Sequence, residues 1–323
     1  MNTFFNRIIK VSINLLVFLV PLFFLPFSFE AFEFNKQYLL FFLVLIAFFA
    51  WLGKMVLVDQ EVRFKRTPLD LFVLSFLFLA ILSTVFSVNR GSSIFGFYGR
   101  FSDGLLGLIS SGLLYFIVTN NADIKRIAGL LKTFLWSVFF VTLVSYLSIF
   151  GILGKISAGL HLPRIMSQNT FNPVSGSLEG LAIFLAVVMV FLTGRILTKA
   201  DKTKSSINYI LLFTALVLLI IIDFTSAWWV LSVSLILFLT LALWKRLFKE
   251  NVNRLLLPIF LIVISGLFIS TNLINLNLPQ EQVLGQEISW QTGFKSATDN
   301  VKSGFLGSGV GTFHYDFAKE KPT

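Results

Sequence analysis

Cysteine is absent from the 323 residues, so disulfides, thiolate chemistry and cysteine-held metal centres are excluded together. With two histidines, His161 and His314, a three-histidine metal site cannot be assembled either. Charge is scarce: 13% of residues are Asp, Glu, Lys or Arg, against about 25% in a soluble globular chain. No HExxH, Walker loop or GxSxG motif occurs. What fills the space is apolar, with 56% hydrophobic residues and 39 phenylalanines, far more than a water-soluble core of this length requires.

These residues are arranged in nine apolar segments, near 11–29, 38–58, 69–88, 104–119, 130–150, 176–194, 207–222, 224–244 and 255–271. At about 1.5 Å rise per residue, segments of this length approach or reach the thickness of a hydrocarbon core of about 30 Å. The expected fold is an all-α polytopic membrane protein, with a helical domain over 1–271 and the start of a large periplasmic loop over 272–323. The first segment lacks a small-residue cleavage motif and reads as an uncleaved helix. Residues 207–244 contain no Lys or Arg, and the polar break at Asp223 to Ser226 divides them into a hairpin of two helices.

Positive charge then sets a topology. With the N-terminus in the cytoplasm, seventeen Lys and Arg residues fall in cytoplasmic loops and five outside, before the polar tail. This skew points to a bacterial cytoplasmic membrane, and it assigns the net charge of +10 to topology and anionic membrane lipid rather than to nucleic acid.

The exceptions carry the functional argument. Arg90 and Arg100 lie in the Gly-rich outer loop 87–104, and Arg164 lies in the outer loop 151–174. Planar guanidinium groups on the disfavoured side suit bidentate contact with phosphate oxygens, although snorkelling among headgroups, or ordinary loop polarity at Arg164, would also place them there. Glu179 and Asp223 sit at helix starts, as caps or as functional carboxylates. The tail ends at 320–323 without a closing element, which raises the expectation of a longer natural protein.

Three patches carry a family resemblance. The loop with Ser87, Asn89, Arg90, Ser93, Phe95, Gly96, Arg100 and Gly104, the segment from Arg164 to Phe171 with Pro173, and the run Leu306-Gly307-Ser308-Gly309-Val310-Gly311-Thr312-Phe313 resemble the O-antigen ligase and polymerase superfamily. The last patch is similar to its LGxGxGTF signature and is the most specific. The resemblance implies transfer of a glycan from an undecaprenyl-pyrophosphate carrier to a lipid, glycan or protein acceptor, on the periplasmic side, with no metal and no cofactor. It implies that Arg164 grips the pyrophosphate while Arg100 and Arg90 position the donor. The family's general-base histidine belongs to a later part of the loop, beyond residue 323, so His314 would lend support only. A further family arginine, which follows a Thr/Ser pair, is replaced here by Ala227-Trp228. The competing expectation is a secondary transporter or flippase for an anionic or lipid-linked solute, with a membrane scaffold as a third.

Overall fold

A computed structural model describes residues 1–61, 64–160, 163–198, 206–245, 252–271, 286–299 and 301–320. Among these the architecture is all-helical, and the one extended feature is an isolated bridge between Phe97 and Arg100. Four helices are long and apolar enough to cross a membrane, Glu33–Asp59, Ile124–Ile149, Leu178–Leu197 and Thr225–Trp244. Shorter apolar helices occupy Asp70–Val85, Leu105–Asn121, Ser206–Ile222 and Leu256–Ser270.

The chain divides into two compact units, Met1–Leu135 with Gln282–Thr323, and Trp136–Glu281. In the first, α1 (Asn2–Leu19) buries Ile9, Ser12, Ile13 and Leu16, a three- and four-residue spacing that marks one helical face. That face packs on α2 (Glu33–Lys54), where Ala47 and Ala50 let the backbones approach and a Cβ at Gly53 would stand 2.9 Å from the Phe5 ring. Close approach at small residues is how apolar helices associate when lipid removes the hydrophobic drive between them.

The first helix differs from the expected 11–29. It starts nine residues earlier and stops at Leu19, because Pro21 supplies no N–H for another turn and its ring collides with the preceding one. Residues 25–34 instead form a polar knot: Glu30 accepts the N–H groups of Phe32 at 2.8 Å and Phe34 at 2.5 Å, which caps α2. The buried Asn35 amide binds the carbonyls of Glu30 and Ala31.

Next, α3 (Asp70–Val85) leads through the short α4 (Arg90–Phe95) into α5 (Leu105–Asn121). The Asp70 carboxylate accepts the Thr67 N–H at 2.8 Å and the Tyr115 hydroxyl at 2.8 Å, which ties α5 to the start of α3. Leu71, Phe72, Leu74, Phe76, Phe78 and Leu79 of α3 all lie exposed. An outward face this apolar is compatible with a membrane setting.

Helix α6 (Ile124–Ile149) runs on into the second unit, followed by α7 (Ile152–Gly159), α8 (Leu178–Thr198), α9 (Ser206–Ile222), α10 (Thr225–Trp244) and α11 (Leu256–Ser270). Helix α8 is its centre and buries Leu181, Ala182, Leu185, Ala186, Val188, Met189 and Leu192 against α9 and α10. Between α10 and α11, Trp228 stacks on Phe268 with centroids 4.6 Å apart, and the Ser232 and Ser265 hydroxyls meet at 2.6 Å.

The tail is more ordered than its composition suggests. Helices α12 (Gln286–Thr298), α13 (Val301–Leu306) and α14 (Phe313–Glu320) belong to the first unit.

Candidate functional site

The tail docks onto the 87–104 loop, and that contact builds a polar cluster in the first unit. After α3 the chain turns at Ser87, whose Oγ accepts the Asn89 N–H at 3.1 Å and lies 2.6 Å from the Oγ of the fully buried Ser93. Asn89 adopts an extended backbone and accepts the Ser92 N–H at 3.1 Å, so it is the N-cap of α4. The helix ends at Gly96, whose φ of +83° and whose Cβ position 2.6 Å from the Phe101 Cα both require glycine. A tight turn then pairs Phe97 with Arg100, whose N–H donates to the Phe97 carbonyl at 2.8 Å.

Onto this frame the segment after α13 lays its backbone. The Ser83 hydroxyl donates to the Leu306 carbonyl at 2.7 Å and the Val88 N–H to the Ser308 carbonyl at 2.9 Å. Gly309, at φ +128°, passes so close that a Cβ would stand 2.6 Å from the Ser87 Cβ and 2.7 Å from the Ser93 Oγ. The buried Thr312 hydroxyl donates to the Gly309 carbonyl at 2.7 Å, and the Ser308 hydroxyl donates to the Asp316 carboxylate. Asn89 Nδ2 donates to the Tyr315 hydroxyl at 2.5 Å, and the His314 ring stacks on Phe97 at 4.2 Å. His314 Nδ1 is buried without a hydrogen-bond partner.

Arg90 opens α4 and is exposed; Arg100 is exposed and lies 3.6 Å from the Asp103 carboxylate. An ion pair this open to solvent contributes little, so the guanidinium stays available to another anion. Arg90, Arg100 and His314 thus share the first unit with the Gly-rich segment, while Arg164, Glu179 and Asp223 belong to the second.

There, Arg164 follows Pro163 and begins a short 3-10 turn, Arg164–Ser167, with its side chain exposed. The turn is anchored by Ser167, whose hydroxyl lies 2.6 Å from that of the buried Ser157 on α7. The fully buried Asn172 accepts the N–H groups of Val174 at 3.1 Å and Ser175 at 3.2 Å and donates to the Ser177 carbonyl at 2.9 Å. Ser177 accepts the Gly180 N–H at 3.2 Å, and Glu179 occupies the first turn of α8, where a carboxylate meets the positive end of the helix dipole.

Asp223 departs from the N-cap reading. Phe224 holds the N-cap position of α10 and offers no side-chain bond. Asp223 adopts a left-handed backbone, φ +47°, and accepts Trp228 Nε1–H at 2.9 Å, so its carboxylate serves the turn. His161 lies outside the described residues.

Sequence reading had marked the Arg and Gly residues of the first-unit site but not Tyr315, Asp316 or the Phe97–His314 stack. Their signal was weak: an aromatic and an acid one turn beyond a Gly-rich run. No group of three or more His, Asp or Glu side chains among the described residues is arranged to hold a metal ion.

The tail has one further clasp, in which Lys319 Nζ lies 2.8 Å from an Asp299 carboxylate oxygen. That bond, with the added attraction of the Lys319 and Lys295 charges, holds the Asp299 carboxyl below its ordinary value near 3.8. A lowered acid value means the clasp is complete above that ordinary value and is lost as pH falls through the lowered one. Lys319→Ala is expected to return Asp299 to the ordinary range in an NMR titration; an unmoved titration would show that Lys319 does not set it. Comparison with family models, curated proteins and solved structures returns no match for this chain.

Proposed function

We propose that this chain is part of a membrane-embedded transferase that moves a glycan from an undecaprenyl-pyrophosphate carrier to a lipid, glycan or protein acceptor. In this reading nine helices cross the bacterial cytoplasmic membrane, the N-terminus is cytoplasmic, and loops 87–104 and 151–174 meet the donor at the outer face. One observation supports it above others. The LGSGVGTF segment and the 87–104 loop, the two patches that carry much of the family resemblance, are joined directly by the Val88 N–H bond to the Ser308 carbonyl although more than two hundred residues separate them in sequence. Convergence of separate motif patches on one polar cluster is what a shared binding task requires.

The chemistry assigned to the site follows from charge. As the glycosidic bond breaks, negative charge gathers on the departing pyrophosphate, and fixed guanidinium groups stabilise it more in the transition state than in the ground state. Arg164 grips the diphosphate in this scheme, and Arg90 and Arg100 orient the donor. The acceptor hydroxyl needs a base. No described residue is assigned that role.

Purified protein in detergent should bind undecaprenyl pyrophosphate, and Arg164→Ala should weaken that binding about tenfold or more, as expected for a charge-assisted contact of about 1.5–3 kcal/mol. Unchanged affinity would remove Arg164 from the role. Because the chain has no cysteine, Arg100→Cys and Arg164→Cys give single reporters. Labelling of intact cells by a membrane-impermeant maleimide is the expected result, and protection of both positions would put the loops on the wrong side.

A further inference from the structure

We propose that the cleft between α1 and the α5–α6 turn binds the phosphate of an anionic phospholipid. Its volume is about 220 Å³, and its rim carries Lys10, Lys125 and Arg126. Its floor includes Ile9, Ile13 and Leu130, and no carboxylate is among its lining residues. The exposed Asp123 at the start of α6 is outside this lining, and three cations around one opening repel one another unless an anion enters.

The cleft is also braced. Arg126 Nη1 donates to the Asn121 carbonyl at 2.5 Å, which holds the guanidinium at the end of α5 with further N–H groups to spare. Asn14 donates to the Lys10 carbonyl at 2.7 Å and accepts the Thr133 hydroxyl at 3.0 Å, so α1 is tied to α6 behind the opening. Lys125 and Arg126 stand in the first turn of α6, where the helix dipole adds positive potential.

The combination of a cationic rim and an apolar floor favours a phospholipid over a free phosphate. The rim suits the phosphodiester, the floor suits the first carbons of the glycerol and acyl chains, and the volume suits a headgroup with its chains lying outside. Basic pockets between apolar helices are a recurrent form of lipid-headgroup recognition. The cleft lies at the opposite end of α5 from the 87–104 loop, so it is separate from the donor site. The inference depends on the helices standing in a membrane and not on glycan transfer.

Native mass spectrometry of the protein in neutral detergent, titrated with phosphatidylglycerol or phosphatidylcholine, tests it. Phosphatidylglycerol should be retained about tenfold or more over phosphatidylcholine, the order expected for several basic residues facing one anion. The triple variant K10Q/K125Q/R126Q should lose that preference, and the control K65Q/R66Q should keep it.

Gly129→Leu gives a second readout if the triple variant does not fold. Gly129 lines the cleft and a Cβ there meets nothing within 4 Å, so leucine extends into the space the lipid would occupy and favours the helix. It should reduce phosphatidylglycerol retention with an unchanged circular dichroism spectrum. Equal lipid preference in wild type and in the folded variants would overturn the proposal, and displacement of phosphatidylglycerol by inorganic phosphate would overturn the lipid assignment. Undecaprenyl pyrophosphate binding should not change in these variants, which keeps failure here distinct from failure of the transferase reading.

Discussion

Gly309→Val is expected to detach the tail from the 87–104 loop and abolish donor binding. The backbone at this position has φ +128°, a conformation that costs a branched residue about 1–3 kcal/mol. The collision adds to that strain, because the new Cβ would stand 2.6 Å from the Ser87 Cβ and 2.7 Å from the Ser93 Oγ. The Ser87–Ser93 bond and the Val88–Ser308 bond cannot both survive it. Hydrogen exchange reads this directly: the Val88 amide should lose protection while the α1–α2 core around Ile9 and Ala47 keeps its own. A Val88 amide that stays protected, with donor binding intact, would show that the two segments do not depend on this glycine.

Trp228→Ala should destabilise the second unit by about 3–5 kcal/mol, the usual range for deletion of a buried Trp. The side chain is fully buried and stacks on Phe268, so its removal leaves a hole between α10 and α11. It also strands the Asp223 carboxylate, which accepts Trp228 Nε1–H at 2.9 Å and sits at the end of an apolar helix. A carboxylate without a donor in such surroundings is costly. Trp228→Phe separates the two effects, since it keeps the ring contact and removes the N–H, and a loss of about 1 kcal/mol is expected for the bond alone. Denaturant titration in detergent, followed by far-UV circular dichroism, measures both variants. Equal stability of Trp228→Ala and the parent would mean that the site can collapse and that the stack is not what joins the two helices.

How much of this architecture was legible beforehand varied with the type of signal. Long apolar runs identified helices such as Leu256–Ser270 to within a residue of the expected 255–271. Arg7 and Lys10 resemble the flank of a span in sequence, whereas the helix includes them, exposed, and buries Ile9 and Ile13 on its other face. Helix α12 gives little periodic apolar pattern, and α13 and α14 are too short to stand out, although Phe313 and Phe317 lie one turn apart on α14. Asp223 was read from local helix-start preferences, and its actual partner is a ring nitrogen one turn away. The docking of Gly309 on Ser87 and Ser93 has no local signature, since the residues that require the glycine lie more than two hundred positions upstream. Motif similarity marked both ends of that contact without linking them.

The serine rung between α10 and α11 gives that helix pair a sense of direction. Ser265 has a single hydroxyl proton, and it goes to the Ile262 carbonyl at 2.9 Å, so the proton in the rung comes from Ser232. Sliding either helix by one turn would part the two hydroxyls and return the Ser232 proton to a carbonyl of its own helix, so the rung favours the one seating in which they meet, as a notch favours one seat for a key.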